Sequence, residues 1–207
     1  MTPRESPLEE LRRHDVRAIV MGGSAGGIDA LRVLLPLLPA TLDVPVLVVL
    51  HVAADTTHAW ASVFPQCRLP IREAEDKQIA EPGSVTIAPP AYHLLVDDGS
   101  RLALSIDEPV NLSRPSIDVL FESAAWAYRD HLLAVLLSGA NADGAAGLAA
   151  VVRAGGLAWV QSPETALMPV MPRAGLHAAP PARAMTLAQM VEALQTWQTR
   201  ERYARGS

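Results

Sequence analysis

The chain has 207 residues, 50% of them hydrophobic, and a net charge of −5 at pH 7. That length suits one large α/β domain able to bury its core without metal or disulfide staples. The acidic balance, 4% aromatic content and lack of a basic run argue against nucleic acid as a partner.

Residues 1–15 carry Pro3, Pro7 and many charges; they read as a tail with a short helix over "LEELRR" (residues 8–13). This charged start has no apolar core of the kind a signal peptide needs. No apolar stretch approaches the ~20 residues that span a bilayer. Cys67 is the single cysteine. It has no companion for a disulfide or a metal site, so a reducing, cytoplasmic location and an inert thiol are expected. The domain proper is expected over residues 16–199, followed by a second tail at 200–207.

"VRAIVMG" (16–22) has the short, apolar, β-branched character of a strand buried on both faces. "GIDALRVLLPLLP" (27–39) spaces Leu31, Leu34, Leu35 and Leu38 as a helix that its prolines end. "VPVLVVLH" (44–51) is a second buried strand, and "DTTHAWASVFPQ" (55–66) opens with helix-capping residues at Asp55 to Thr57. Alternating runs about an Asp98-Gly99 turn predict a β-hairpin over residues 93–106. A helix over "RPSIDVLFESAAWAYRD" (114–130) follows, opening on a proline. The last third alternates strand 132–139, helix 143–155, strand 156–161, helix 172–179 and an amphipathic segment at 186–198. Alternation of this kind predicts a doubly wound, mainly parallel sheet with helices on both faces and a small β-hairpin insertion.

In such sheets chemistry gathers beyond the carboxyl ends of the strands. Three polar residues stand there. Ser24 lies in "GGSAG", a G-x-S-x-G turn that lifts a hydroxyl to the sheet edge beside helix-N-terminal amides; alone, it equally fits a glycine turn with a capping serine. His51 ends the second strand, where a general base or a hydrogen-bonded structural ring would sit. Asp143 follows "LLAVLLSGANA" and precedes a helix, as a carboxylate partner or an N-cap. Together they supply a nucleophile, a base and an acid from three strand ends, in the order Ser, His, Asp. That order differs from the Ser, Asp, His of α/β-hydrolases. "GGSAGGID" lacks the lysine of a Walker A loop, and Ser24 occupies the middle glycine of a dinucleotide fingerprint whose acidic partner is replaced by His51. No histidine spacing resembles a zinc site, so neither metal nor cofactor is expected.

Seven ordered blocks, "VMGGSAGG", "VVLHV", "PGSVTIAPPAYHL", "RPSIDVLFESAA", "LLSGANADGAAGL", "AGGLAWVQ" and "MPRAG", resemble the catalytic domain of CheB-type chemotaxis-receptor protein-glutamate methylesterases. The resemblance covers residues 16–197 and implies Ser24 as nucleophile, His51 as general base and acid, and Asp143 as the residue that orients His51. It implies hydrolysis of glutamate γ-methyl esters on the cytoplasmic helices of chemoreceptors, with deamidation of some glutamines and no cofactor. Backbone N–H groups at Ala25 and around Ala140 would receive the oxyanion. Arg114 and Ser116 would help wall the site, or serve as a surface arginine and a helix N-cap.

Three departures from the family pattern concern substrate fit. Ala25 replaces a threonine. "SGANADG" replaces T-G-M-G-x-D-G, with Asn141 where a glycine adopts positive φ. "HVA" replaces "HMP" at residues 51–53. The residues before Val16 are too few for the receiver domain that many members carry, which leaves the regulatory partner open. Two other readings stay open: a receptor-binding or signalling module of the same fold with weak catalysis, and a hydrolase of another ester or amide.

Overall fold

The computed structural model describes residues 5–52 and 59–205. Seven parallel strands form the main sheet: β1 (Ala18–Gly23), β2 (Val46–Leu50), β3 (Ile71–Glu73), β4 (Val85–Ile87), β7 (Leu132–Leu136), β8 (Leu157–Gln161) and β9 (Arg183–Met185). Their order is β3-β4-β2-β1-β7-β8-β9, and the expected hairpin forms apart from them as β5 (His93–Val96) and β6 (Leu102–Ser105). The Asp98-Gly99 turn of that hairpin is a short 3-10 segment, Asp98–Ser100, with Ser100 at φ 66°.

The apolar strands alternate strictly between two cores, as the period of two demands. Ile19, Met21, Val46, Val48, Leu133, Val135 and Trp159 face one side. There they pack beneath α1 (Pro7–Arg13), α2 (Gly27–Leu34) and α7 (Leu187–Arg205). Ala18, Val20, Leu47, Val49, Leu132, Ala134, Leu136 and Val160 face the other. They lie beneath α4 (Ile117–Tyr128), α5 (Ala145–Arg153), α6 (Val170–Ala178) and the hairpin. The short helix α3 (Trp60–Val63) borders the first core through Trp60.

Several expectations shift by a few residues. α2 stops at Leu34 and tightens to a 3-10 turn over Leu35–Leu37, where Pro36 removes an amide donor. Of the helix expected over residues 55–66, the N-capping stretch Asp55–Thr57 lies outside the described residues, as does His58. The helix inside the leading segment forms, opened by a Ser6–Glu9 capping box. It is docked: Leu11 is fully buried and Glu10 pairs with Arg183 of β9 at 2.6 Å. No described helix is long and apolar enough to cross a membrane.

Strand order reverses about β1: the chain lays β2, β3 and β4 on one flank, with β3 outermost, then returns to place β7, β8 and β9 on the other. A crevice opens at such a reversal, beyond the carboxyl ends of the strands. Gly22 sets how closely α4 approaches β1 beside it. A Cβ there would lie 2.3 Å from Ile117 Cγ2, so its absence lets the first residue of α4 rest directly on β1.

Candidate active site

β1 delivers Ser24 to the rim of the crevice. The register pairs Gly23 with Leu50, and His51 N–H donates to Gly23 O at 3.2 Å, so Ser24 and His51 leave adjacent strands side by side. Ser24 is pinned through its backbone: its N–H donates to Ser138 O (2.9 Å), and its carbonyl accepts from Gly27 N–H (2.7 Å). The chain then turns through Gly26 at φ 82°, into a space where a Cβ would meet Ser138 Oγ at 2.7 Å. A glycine is required there on both counts.

Ser138 staples this turn from β7's end. Its hydroxyl donates to Ala25 O (2.7 Å) and accepts from Met168 N–H (2.9 Å), while its amide donates to the Gln161 side chain (3.0 Å). The Ala25 carbonyl is thus taken up by Ser138, while the Ala25 and Ala140 amides donate to no acceptor among the described residues. These are the groups an oxyanion would need.

His51 donates from Nε2 to Asp143 Oδ2 at 2.8 Å. That bond fixes the tautomer, so Nδ1 carries the lone pair. The arrangement is turned about relative to the serine-protease template, in which Nδ1 faces the carboxylate and Nε2 the nucleophile. Ser113 Oγ lies 3.4 Å from Nδ1, a long contact, and the Ser24 hydroxyl makes no hydrogen bond among the described residues. Only 12% of the His51 side chain is exposed.

Asp143 is fully buried and accepts five hydrogen bonds. Oδ1 takes Asn111 Nδ2 (2.9 Å), Ser116 Oγ (2.8 Å) and Asp118 N–H (3.2 Å); Oδ2 takes Ile117 N–H (2.7 Å) and His51. Burial pushes its carboxyl up, but these donors outweigh burial and hold it at about 2. Two of the donors are the first two amides of α4, so Asp143 caps a helix distant in sequence and sits on the positive end of its dipole. It does not cap the helix that it precedes, since α5 starts from Gly144 at φ 88° with no side-chain cap. Asp118 returns the arrangement: its Oδ1 accepts Gly147 N–H of α5 at 2.7 Å. A carboxylate just before α5 thus serves the N-terminus of α4, and one in the first turn of α4 serves that of α5. Asn111 Nδ2 bridges both acids, 2.7 Å from Asp118 Oδ2. Burial raises the Asp118 carboxyl, the neighbouring Asp143 charge adds to this, and the Gly147 amide opposes it.

Ser116 is fully buried, and its hydroxyl serves Asp143 rather than capping its own helix. Arg114 is committed elsewhere: Nη1 donates to the carbonyls of Ile106 (2.8 Å) and Asp107 (3.0 Å), holding the segment after β6. His93 is buried, accepting from Ser116 N–H at Nδ1 (3.1 Å) and donating from Nε2 to Glu108 O (3.2 Å), so it supports the wall. Asn141 has no positive φ, and its Oδ1 accepts from Asp143 N–H at 3.2 Å. The glycine-to-asparagine departure therefore organises the loop without left-handed strain. Asn111, Asp118, Ser113 and Ser138 had no sequence signal beyond their residue types. Among the described residues no group of three or more His, Cys, Asp or Glu could hold a metal ion.

The profile of the CheB methylesterase family matches residues 19–194. A provisionally named protein-glutamate methylesterase/protein-glutamine glutaminase of Leptospira interrogans is 47% identical over 162 residues, covering 78% of this chain and 84% of that one. A Pseudomonas aeruginosa protein-glutamate methylesterase/protein-glutamine glutaminase is 37% identical over 169 residues; the match spans 81% of this chain but 46% of that protein. The crystal structure of the Thermotoga maritima CheB methylesterase catalytic domain superposes with a TM-score of 0.80 at 29% identity, over 86% of this chain and 97% of that domain.

Proposed function

The chain belongs to the CheB methylesterase family, and on that premise we propose that it hydrolyses glutamate γ-methyl esters on the cytoplasmic helices of chemoreceptors through Ser24, His51 and Asp143. One observation carries the assignment of roles. The 2.8 Å bond from His51 Nε2 to a buried, ionised Asp143 turns Nδ1 away from the carboxylate, and His51 and Ser24 directly follow paired ends of adjacent strands.

In this reading Ser24 Oγ attacks the ester carbonyl carbon while His51 Nδ1 takes its proton. The imidazolium is stabilised by Asp143, whose charge is in turn held by the amides of α4. Negative charge on the carbonyl oxygen is received by the Ala25 and Ala140 amides. Collapse expels methanol, protonated by Nδ1. A water deprotonated by the same nitrogen then cleaves the acyl-enzyme to glutamate and free Ser24. The same steps applied to a glutamine side chain expel ammonia, which accounts for glutaminase activity in the same site. No step calls for a metal or cofactor.

The test is methanol release from methylated receptor by the wild-type protein and by Ser24→Ala. The variant is expected to keep its fold and lose activity by at least about 10³-fold. Activity within tenfold of wild type would remove Ser24 from the mechanism.

A further inference from the structure

The turn that supplies Asn111 and Ser113 carries a leucine at its tip. Val110 and Ser113 exchange both backbone hydrogen bonds (3.1 and 2.9 Å) around Asn111 at φ 52° and Leu112 at φ 62°. Two consecutive left-handed residues make a type I′ turn, which favours Asn-Gly because glycine alone takes the second position without steric cost. Leucine stands there instead. It is also 99% exposed, the most exposed large apolar side chain among the described residues. Backbone strain acts against this residue, its apolar surface is left in water, and no packing in the folded chain offsets either.

Its flanks fix where it points its influence. Asn111 is bonded to Asp143 and Asp118, and Ser113 touches His51 Nδ1, so the tip is held one residue from the base. By the turn that follows the nucleophile, Leu167 is 69% exposed. It packs where a Cβ on Gly26 would lie, 2.8 Å from the Leu167 Cβ. Two exposed leucines on separate loops therefore stand next to the site: Leu112 adjoins Ser113, which contacts His51, and Leu167 lies against Gly26 in the Ser24 turn. A lone surface leucine needs no explanation; a strained one anchored to the reacting groups does.

We propose that Leu112 is a specificity-determining residue that packs on an apolar side chain flanking the methyl ester in the receptor segment, with Leu167 contacting the segment beside the Ser24 turn. This rests on the reaction assigned above and names what the site recognises besides the ester: a helical segment with apolar neighbours beside the modified glutamate. The contact supplies binding to a macromolecular substrate and nothing to a small ester that lacks those neighbours.

The experiment compares Leu112→Gly and Leu112→Met with wild type on methylated receptor and on p-nitrophenyl acetate. Glycine restores the favoured turn pair, so loss of fold is not at issue, and a urea titration confirms it. The expected result for Leu112→Gly is a roughly tenfold fall in the receptor-to-small-ester ratio of kcat/KM, carried by KM, as loss of an apolar contact requires. Leu112→Met, which keeps the apolar reach, should stay within about twofold. An unchanged ratio in Leu112→Gly, or a fall carried by kcat, overturns the inference. A wild-type protein that cleaves p-nitrophenyl acetate but releases no methanol from receptor overturns the substrate reading itself, and this inference with it.

Discussion

Asp143→Asn preserves shape while exchanging one acceptor oxygen for a donor, and the surrounding hydrogen bonds set its cost. If the amide oxygen takes the Oδ2 position, it still serves Ile117 N–H and His51, but its NH₂ then faces Asn111 and Asp118 N–H. The Ser116 hydroxyl can rotate to accept; the Asp118 amide cannot, and Asn111 keeps only its bond to Asp118 Oδ2. If the amide is reversed, NH₂ faces the Ile117 amide and His51, and the ring must move its proton to Nδ1, the atom assigned to receive the Ser24 proton. Each orphaned buried donor costs about 1–3 kcal/mol. With one or two orphaned in either orientation, destabilisation of about 2–4 kcal/mol is expected. Activity should fall about 10⁴-fold, the loss seen when a triad carboxylate becomes an amide and the ring tautomer is no longer held. Urea denaturation measures the first quantity, and methanol release or p-nitrophenyl acetate hydrolysis the second. A variant with kcat within tenfold of wild type and stability within about 1 kcal/mol would refute both the reciprocal capping and the role given to Asp143.

Two further outcomes rest on the same contacts. Because the Asp143 carboxyl is lowered from 3.8 to about 2, the unfolded chain binds the proton more readily, and the group stabilises the fold above about pH 4. That contribution, on the order of 2 kcal/mol, is lost as pH falls toward 2. Asp118, raised by burial, works in the opposite sense, so the effect is read as the difference between acid-unfolding curves of wild type and Asp143→Asn; parallel curves would refute it. Gly22→Ala places a methyl 2.3 Å from Ile117 Cγ2 and should cost about 1–3 kcal/mol by overpacking. It should also depress activity, since the displaced end of α4 carries the amides that hold Asp143; thermal unfolding and ester hydrolysis measured on one preparation decide this.

How much was legible in the chain differs from element to element. β1, β2, β7 and β8 announce themselves as apolar runs because both faces of each are buried. β3 and β9 do not: each is three residues long, lies at an edge and carries partly exposed polar side chains, so no periodicity can develop. Leu8–Arg13 reads as a helix within a charged tail, yet its burial depends on α7 and β9, more than 170 residues away. The three residues proposed to react could be found because Ser24 and His51 directly follow apolar strands and Asp143 closes the loop after a third, and parallel strands bring such ends to one edge. Their supports left no such trace, because an asparagine, a serine or a second aspartate in a loop looks like any surface residue until its partner is known.

Composition and local pattern were thus sufficient to set the four central strands β1, β2, β7 and β8, the parallel sheet and the edge from which Ser24, His51 and Asp143 emerge, since burial on two faces and helical spacing are written within a few neighbouring residues. Only the tertiary structure decided which helix Asp143 caps, which ring nitrogen is left basic, and that Asn111 joins two acids. Those outcomes depend on contacts between residues 92 apart for His51 and Asp143 and 113 apart for Ser138 and Ala25. A hydrogen bond over such separations is fixed by how the layers pack, and no stretch of chain contains both its donor and its acceptor.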